Sequence, residues 1–318
     1  MREKTAVSPP QKTSIILPPW GWLLVALVSH TLWGTHPVFA RYLQTVSHLP
    51  SLSILVLAYG LPLVIFGAFI LPRLDRHVYR SPLLWQFGAI SVVRGLTNQF
   101  AARYTLSVFV QLVTQTTPFW VVLLSALLLH EAIPRYTRRA VVLTFVGSAL
   151  MMGESLLAGW QGGGLGGING RYDLLGIFLA ILSSIALAAY MLIVRRSRDA
   201  NLPSEAIMLM QFFVITSSSA ILSLLWQEDW HGWLTIGLWD IIAFLGLSIG
   251  VFVLANLSQI VAIRHIGAPR VSSLMSWRLL STFAIGTLFL NERLTSPWQF
   301  AGMLIVFATI TWYLWQQR

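Results

Sequence analysis

Ten stretches of about 20 mostly apolar residues follow one another along this chain, and they limit its fold more than any other feature. A helix that crosses the hydrocarbon core of a bilayer needs roughly 20 such residues. Runs such as 121–129 lack the apolar–polar alternation of a membrane β-barrel strand. The pattern predicts an all-α integral membrane protein with ten transmembrane helices, at residues 20–41, 49–71, 83–103, 108–130, 139–153, 174–194, 205–226, 238–263, 268–290 and 297–315.

The composition fits a chain surrounded by lipid. Hydrophobic residues make up 56% and charged residues 10% of the 318 residues, whereas a soluble domain is about a quarter charged. The net charge of +10 does not indicate nucleic acid, because the basic residues lie in short clusters between apolar runs. The chain has no cysteine and its seven histidines lack metal-ligand spacing, so we expect no metal and no cofactor.

The Lys and Arg residues predict an orientation. With the amino terminus placed in the cytoplasm, fifteen of the 21 Lys and Arg residues lie in cytoplasmic segments and four lie outside. The remaining two, Arg94 and Arg278, lie within predicted spans. This bias follows the positive-inside rule. We therefore predict a plasma (inner) membrane protein with both termini in the cytoplasm.

A glycine-rich segment divides the chain. Residues 159–172 are predicted to be an extracytoplasmic linker between a first five-helix repeat, 20–158, and a second, 173–318. A phosphate-binding role for these glycines is disfavoured because no strand precedes them and no P-loop lysine follows. Residues 1–19 are polar and Pro-rich, which predicts a disordered cytoplasmic tail.

The two halves match each other in sequence. A shift of 161 positions places Arg103 on Arg264 and Glu131 on Glu292. Each match is followed by a span with a central glycine. Since each half has five predicted helices, the second copy enters the membrane from the opposite side. Inverted-topology repeats of this kind are typical of secondary transporters.

Several short motifs follow one another in the first half, and the second half repeats some of them. They are Trp33-Gly34 in the first span, 100–104 (FAARY) ending the third, Pro118 within the fourth, Glu131 at its end, and 265–268 (HIGA) and Glu292 in the second half. In these motifs the chain resembles EamA-type permeases of the drug/metabolite transporter superfamily. The resemblance implies a central cavity lined by the first, third, fourth, sixth, eighth and ninth spans. The counterpart of Pro118 is Leu279, so we expect no helix break there, and Arg278 adds a charge beside it.

Polar residues inside the predicted spans are candidates for contact with a solute, because such residues face protein or water. Many recur at helical spacing. Together with two tryptophans they form the candidate substrate-binding set: Arg94, Asn98, Gln111, Gln115, Asn256, Gln259, Arg278, His30, Trp33 and Trp277. The alternative for each polar residue is a hydrogen bond between helices. The aromatic residues Trp33, Trp120, Tyr190 and Trp277 are also candidates for a wall around a cationic solute.

Arg94 and Arg278 carry the sharpest prediction. Each lies roughly 11–17 Å from a helix end by the helical rise, and an arginine at that depth costs at least about 2.5–3.5 kcal/mol. The interiors of the predicted spans hold no Asp or Glu. Either the guanidinium groups cap backbone carbonyls or snorkel, or they bind a carboxylate or phosphate of the solute. His30 is the deeply placed candidate for a proton carrier, with solute exchange or facilitated diffusion as the alternatives.

The sequence thus predicts a permease without catalytic residues. Its expected solute is a small anionic or zwitterionic metabolite, such as an amino acid or another carboxylate, moved by alternating access. The alternatives are an exporter of cationic or aromatic compounds, a channel and a membrane-embedded enzyme; the last lacks any HExxH or paired-aspartate motif. The lipid bilayer and the solute are the expected partners, and the sequence does not decide between a monomer and a homodimer.

Overall fold

The computed structural model describes residues 18–129, 136–160, 173–267, 271, 274–291 and 296–316, and it contains no strand within those ranges. The predictions for the amino-terminal tail, most of the linker, Glu131 and Glu292 fall outside them. The main helices are α1 Pro19–Thr45, α2 Ser51–Ile70, α3 Pro82–Tyr104, α4 in two segments (Ser107–Thr114 and Thr117–Leu129), α5 Thr137–Trp160, α6 Asp173–Asp199, α7 Ser204–Leu225, α8 Leu238–Ile266, α9 Ser276–Leu290 and α10 Pro297–Trp315. Short helices occupy Leu71–Arg73, Arg76–Tyr79 and His231–Thr235.

Each predicted span overlaps one of these helices, and the all-helical prediction is confirmed for the described residues. Six of the helices are long and apolar enough to cross a membrane, namely α1, α2, α4, α6, α7 and α8. Shorter apolar stretches lie in α5 and α9, at Arg139–Leu150 and Trp277–Leu290. A multi-pass membrane fold follows from these helices, whereas the number of ten crossings stays a prediction.

Local sequence signals set several helix ends. Pro19, Pro82 and Pro297 each occupy the first turn of a helix, where the missing N–H leaves no hydrogen bond unmade. Ser296 caps α10, and its partner in the capping box is Gln299. These ends are the part of the fold that short sequence motifs determine.

Helix α4 is interrupted ahead of Pro118, as a proline inside a helix favours. Proline cannot donate to the carbonyl of Thr114, and the hydroxyl of Thr117 donates to that oxygen instead, at 2.6 Å. The carbonyl of Val113 accepts from the hydroxyl of Ser184, 3.2 Å away in α6. Side-chain hydroxyls therefore satisfy the backbone groups that the interruption leaves free.

The expectation of an unbroken helix around Leu279 is wrong. Helix α9 begins at Ser276, after a turn that contains Met275, so the predicted span 268–290 is not one helix. Side chains of the first half bind the carbonyls near this turn. Gln115 Nε2 donates to Met275 O at 2.9 Å, and His30 Nε2 lies 2.7 Å from Val271 O. These long-range hydrogen bonds stabilise the interruption without a proline.

Helix α8 contains a π-helical segment, Gly246–Ala255, which the sequence did not predict. Hydroxyl groups connect this region to the first half. Ser29 Oγ donates to Ala255 O at 2.7 Å, and Ser248 Oγ donates to Ala58 O at 2.8 Å. A π-helical segment shifts the faces of the residues that follow it and is frequent at functional sites.

The two halves pack with the symmetry of the sequence repeat. The α1–α9 interface corresponds to α6–α4, and α3–α6 corresponds to α8–α1, while α2–α7 and α5–α10 pair equivalent helices. Two glycines permit the closest approaches. A Cβ atom at Gly147 would lie 2.9 Å from the Gly302 carbonyl oxygen, and one at Gly34 would lie 1.8 Å from Ser281 Oγ. Small residues at these crossings let helix backbones approach as membrane helices commonly do.

Candidate functional site

Two buried guanidinium groups lie beside one tryptophan in the interior of the bundle. Arg94 of α3 is 5% exposed and Arg278 of α9 is 2% exposed. Their Cζ atoms lie 4.5 and 5.5 Å from the centroid of the Trp33 ring, so the two groups are at most 10 Å apart. Arg94 Cζ also lies 4.7 Å from the centroid of the Tyr190 ring. Cation–π attraction offsets part of the cost of burying these charges.

The structure shows no counter-charge for this pair. Within the described ranges, neither arginine lies at ion-pair distance from a carboxylate. Arg94 Nη1 and Arg278 Nη2 are buried and have no hydrogen-bond partner among the described residues. Two positive charges therefore remain without an anion inside the part of the protein that the structure describes. Such burial is costly unless an anionic group pairs with the charges.

His30 holds the guanidinium of Arg278 in place. Arg278 Nε donates to His30 Nδ1 at 2.8 Å, and His30 Nε2 donates to Val271 O at 2.7 Å. An arginine only donates and a carbonyl only accepts, so this arrangement requires the neutral imidazole with its proton on Nε2. A proton on Nδ1 would break the bond to Arg278 and place a second charge beside it. His30 is thus a positioning residue, and it does not line the cavities described next.

Two small cavities surround the arginines. One lies between α1, α3, α4, α6 and α9 and measures about 20 Å³, and the other, toward α2 and α7, measures about 10 Å³. These volumes are on the scale of one water molecule. Five of the ten predicted residues line them: Trp33, Arg94, Asn98, Gln111 and Arg278. The site is therefore assembled but closed, and any metabolite requires the helices to separate.

The other predicted residues lie outside the cavities. Gln115 links α4 to the turn before α9 through its bond to Met275 O. Asn256 Oδ1 accepts a hydrogen bond from the hydroxyl of Tyr190 at 2.9 Å, which helps to hold the Tyr190 ring in position. Gln259 is buried, and its amide atoms have no partner among the described residues. Trp277 is 42% exposed and donates to Thr31 Oγ1 at 2.8 Å, so the structure does not bring it to the arginines.

The structure adds His36 to the predicted site. It is 4% exposed, it lines both cavities, and Asn98 Nδ2 lies 3.2 Å from its Nδ1 atom. His36 follows Trp33 by three residues, so helical spacing alone would have placed both on one face of α1. Of the four predicted aromatic residues, only Trp33 and Tyr190 contact the arginines.

Trp120 lies at a different cavity, which is larger and apolar. This cavity measures about 570 Å³ and lies between α4, α5 and α6, with side chains such as Phe119, Phe145 and Ile177 in its wall. The described residues of its lining include none with a charged side chain. The four aromatic residues predicted to form a wall around a cationic solute therefore do not lie around one cavity.

Comparison with known protein families identifies a match in each half of the chain. The sequence model of the EamA-like transporter family matches residues 20–153 and again residues 174–315, once in each half of the chain. The chain belongs to the EamA-like transporter family. This EamA-like protein is therefore a member of the drug/metabolite transporter superfamily, whose EamA members are transporters and not enzymes. The double match also confirms the sequence repeat.

A solved structure shares the fold. A chain described as "Crystal structure of protein" superposes with a TM-score of 0.58 at 17% sequence identity, and the match covers 94% of the EamA-like chain and 99% of the solved chain. At this identity the likeness shows the fold alone. No curated protein matches the sequence.

Proposed function

We propose that this EamA-like protein is a secondary transporter that moves small organic anions across the plasma membrane by alternating access. The observation that carries the proposal is the pair of buried arginines, Arg94 and Arg278, without an anion in the described part of the chain. A guanidinium group offers a planar set of N–H donors that matches carboxylate and phosphate oxygens. A bound anion would supply the charge and the acceptors that both groups lack.

The same geometry disfavours a cationic solute. The faces of Trp33 and Tyr190 are the natural partners for a cation. The guanidinium of Arg94 already lies 4.5 and 4.7 Å from their centroids. A cationic solute would have to displace this group and would then lie beside two positive charges.

The interrupted helices support an anion site as well. The second segment of α4 begins at Thr117 and α9 begins at Ser276, so both have their amino-terminal ends inside the bundle. A helix amino terminus carries a partial positive charge. Half-helices of this kind point their amino termini at anionic substrate groups in other secondary transporters. Arg278 lies in the first turn of α9 and adds a full charge there.

The energetics favour exchange of one anion for another. An empty closed site holds two buried charges without an anion, and such a state is costly. A carrier that returns with a second anion avoids this state. His30 is held neutral by its two hydrogen bonds, which removes the predicted candidate for a proton carrier. The positive-inside bias supports a cytoplasmic location for both termini.

The test is transport by purified protein in liposomes loaded with a mixture of unlabelled organic acids and phosphate esters. We expect external labelled anions of these classes to enter in exchange, and Arg278→Gln to abolish this uptake while the protein stays folded. Arg73→Gln is the matched control, because Arg73 is exposed and lies outside the site. Normal anion uptake by the Arg278 variant would overturn the proposal.

A further inference from the structure

Several buried polar atoms around the two cavities have no hydrogen-bond partner among the described residues, and all of them can donate a hydrogen bond. Five such atoms belong to residues that line them: Trp33 Nε1, Ser91 Oγ, Arg94 Nη1, Gln111 Nε2 and Arg278 Nη2. Four of the five are nitrogen atoms that donate and do not accept, and the fifth is a hydroxyl that does both. Turning the Gln111 amide over leaves three donor-only nitrogens. The site therefore offers hydrogen bonds to acceptors.

Acceptors in the same space are neutral, and several are already engaged. Gln211 Oε1 accepts from Asn256 Nδ2 at 3.0 Å. Asn98 Nδ2 lies 3.2 Å from His36 Nδ1, so the amide of Asn98 and the imidazole of His36 engage each other. Among the described residues, those that line the two cavities include no Asp and no Glu. An ammonium group carries three donors and a positive charge, and this site gives it no anionic partner.

The charge of the site also indicates how many negative charges its ligand carries. Arg94 and Arg278 are both buried and at most 10 Å apart. A ligand with one negative charge leaves the second guanidinium buried without an ion, which is unfavourable. A compact ligand with two negative charges neutralises both groups.

From this donor-rich, doubly positive site we infer that the protein selects a small dianion without an ammonium group, a dicarboxylate or a phosphate monoester, and rejects zwitterionic amino acids. The inference rests on the proposed function and narrows its substrate class. Carboxylate and phosphate share the chemistry that the site recognises, oxygen acceptors with a negative charge that pair with a guanidinium group. It also replaces the amino acid that the sequence alone suggested as an example of the solute.

Matched ligands test each part of the inference. Succinate and aspartate differ by one ammonium group, and succinate and monomethyl succinate differ by one charge. We expect succinate or glycerol phosphate to compete for uptake of the labelled anion and to raise the melting temperature of the purified protein. Aspartate and monomethyl succinate should each be weaker by at least about tenfold. Aspartate adds an ammonium group for which the described lining has no anionic partner, and monomethyl succinate lacks one of the two carboxylates that pair with the arginines.

Two variants sharpen the result. Arg94→Gln should weaken the dianions by at least about tenfold and remove their advantage over monomethyl succinate. Gln111→Glu places a carboxylate beside the cavity, so it should narrow the difference between aspartate and succinate. This second variant gives a changed preference and not only a loss, which a misfolded protein would not show. Arg73→Gln should behave as the wild type.

The outcomes separate this inference from the proposed function. If aspartate or monomethyl succinate binds as well as succinate, the dianion inference is wrong, while the proposal of anion transport is unaffected. A protein that binds and exchanges no anion of any class, with Arg94→Gln unchanged from wild type, overturns both. Preference for either dianion class supports the inference, and the comparison of succinate with glycerol phosphate tells which class it is.

Discussion

The two ends of the helical bundle are held together differently. At one end, where α1 ends and α2 begins, hydrogen bonds join the first half of the chain to the second; we call it the Glu228 end. At the other, where α8 ends, the hydrogen bonds of Arg264 stay within the second half; we call it the Arg264 end. The difference indicates which end separates more easily when the halves move.

At the Glu228 end, a side chain of the second half caps a helix of the first. Pro50 is the residue before α2, and its side chain cannot accept hydrogen bonds from the free N–H groups in the first turn of the helix. The Glu228 carboxylate accepts from Leu52 N at 3.1 Å and from Ser53 N at 2.9 Å. Trp233 Nε1 also donates to Ser53 Oγ at 2.9 Å. Opening this end breaks a helix cap and these bonds together.

At the Arg264 end, Arg264 donates to Ser204 Oγ at 2.7 Å and to Ser197 Oγ at 3.0 Å. All three residues belong to the second half. The halves meet at this end in the stacked rings of Trp22 and His265, whose centroids lie 3.9 Å apart. A ring stack separates without removing the hydrogen-bond partners of a half-buried carboxylate or uncapping a helix. We therefore expect the closed site to open first toward the Arg264 end.

Among variants that test the comparison of the two ends, the largest effect is expected from Glu228→Gln, which weakens the cap on α2. Loss of a helix cap costs about 1 kcal/mol, so we expect opening of the Glu228 end to increase about fivefold. The chain has no cysteine, so a single reporter at Thr114, which lines the cavity, gives a clean signal. The measurement is the rate at which a membrane-impermeant thiol reagent labels Thr114→Cys from the Glu228 end.

Asp229→Asn is the matched control for this experiment. Asp229 follows Glu228 directly, but its described contacts are with His231 in the same loop. The control should label at the wild-type rate. Equal rates for both variants would show that the cap does not keep this end closed.

The helices were readable from the sequence because lipid burial imposes a long apolar pattern. Residues 49–71 were predicted for α2, which is Ser51–Ile70, and 297–315 for α10, which is Pro297–Trp315. The interruption before α9 was not readable. It depends on His30 and Gln115, which reach backbone carbonyls more than 150 residues away. No local pattern pairs groups over that distance.

Part of the site could also be predicted, because polar residues are rare within membrane spans. Polarity within spans identified Arg94, Asn98, Gln111 and Arg278, and all four line the cavities. Helical spacing placed Gln115 on the face of Gln111, yet its amide binds a backbone carbonyl. Periodicity identifies the polar face of a helix, but the partner that this face meets is set by packing between the halves.

A smaller effect is expected from Arg264→Gln at the opposite end. The substitution removes hydrogen bonds between α6, α7 and α8, each worth about 0.5–1.5 kcal/mol, so the melting temperature should fall. Because those bonds stay within one half, labelling of the Thr114→Cys reporter from the Glu228 end should change less than about twofold, which is below 0.5 kcal/mol. A labelling increase as large as that of Glu228→Gln would contradict the comparison of the two ends.

The smallest effect is expected from the ion pair beside Glu228. Hydrogen bonds from the backbone N–H and the ring of His231 lower the pKa of Asp229 below its usual value. A carboxyl group with a lowered pKa stabilises the folded state at neutral pH, and this contribution is lost as the pH falls through its folded-state pKa. Both side chains are exposed, 88% for His231 and 77% for Asp229, so solvent and salt screen the pair. Thermal unfolding of wild type and Asp229→Asn should therefore differ slightly at pH 7 and coincide well below about pH 4. A difference that persists below that pH would show that the ionised carboxylate of Asp229 is not the stabilising group.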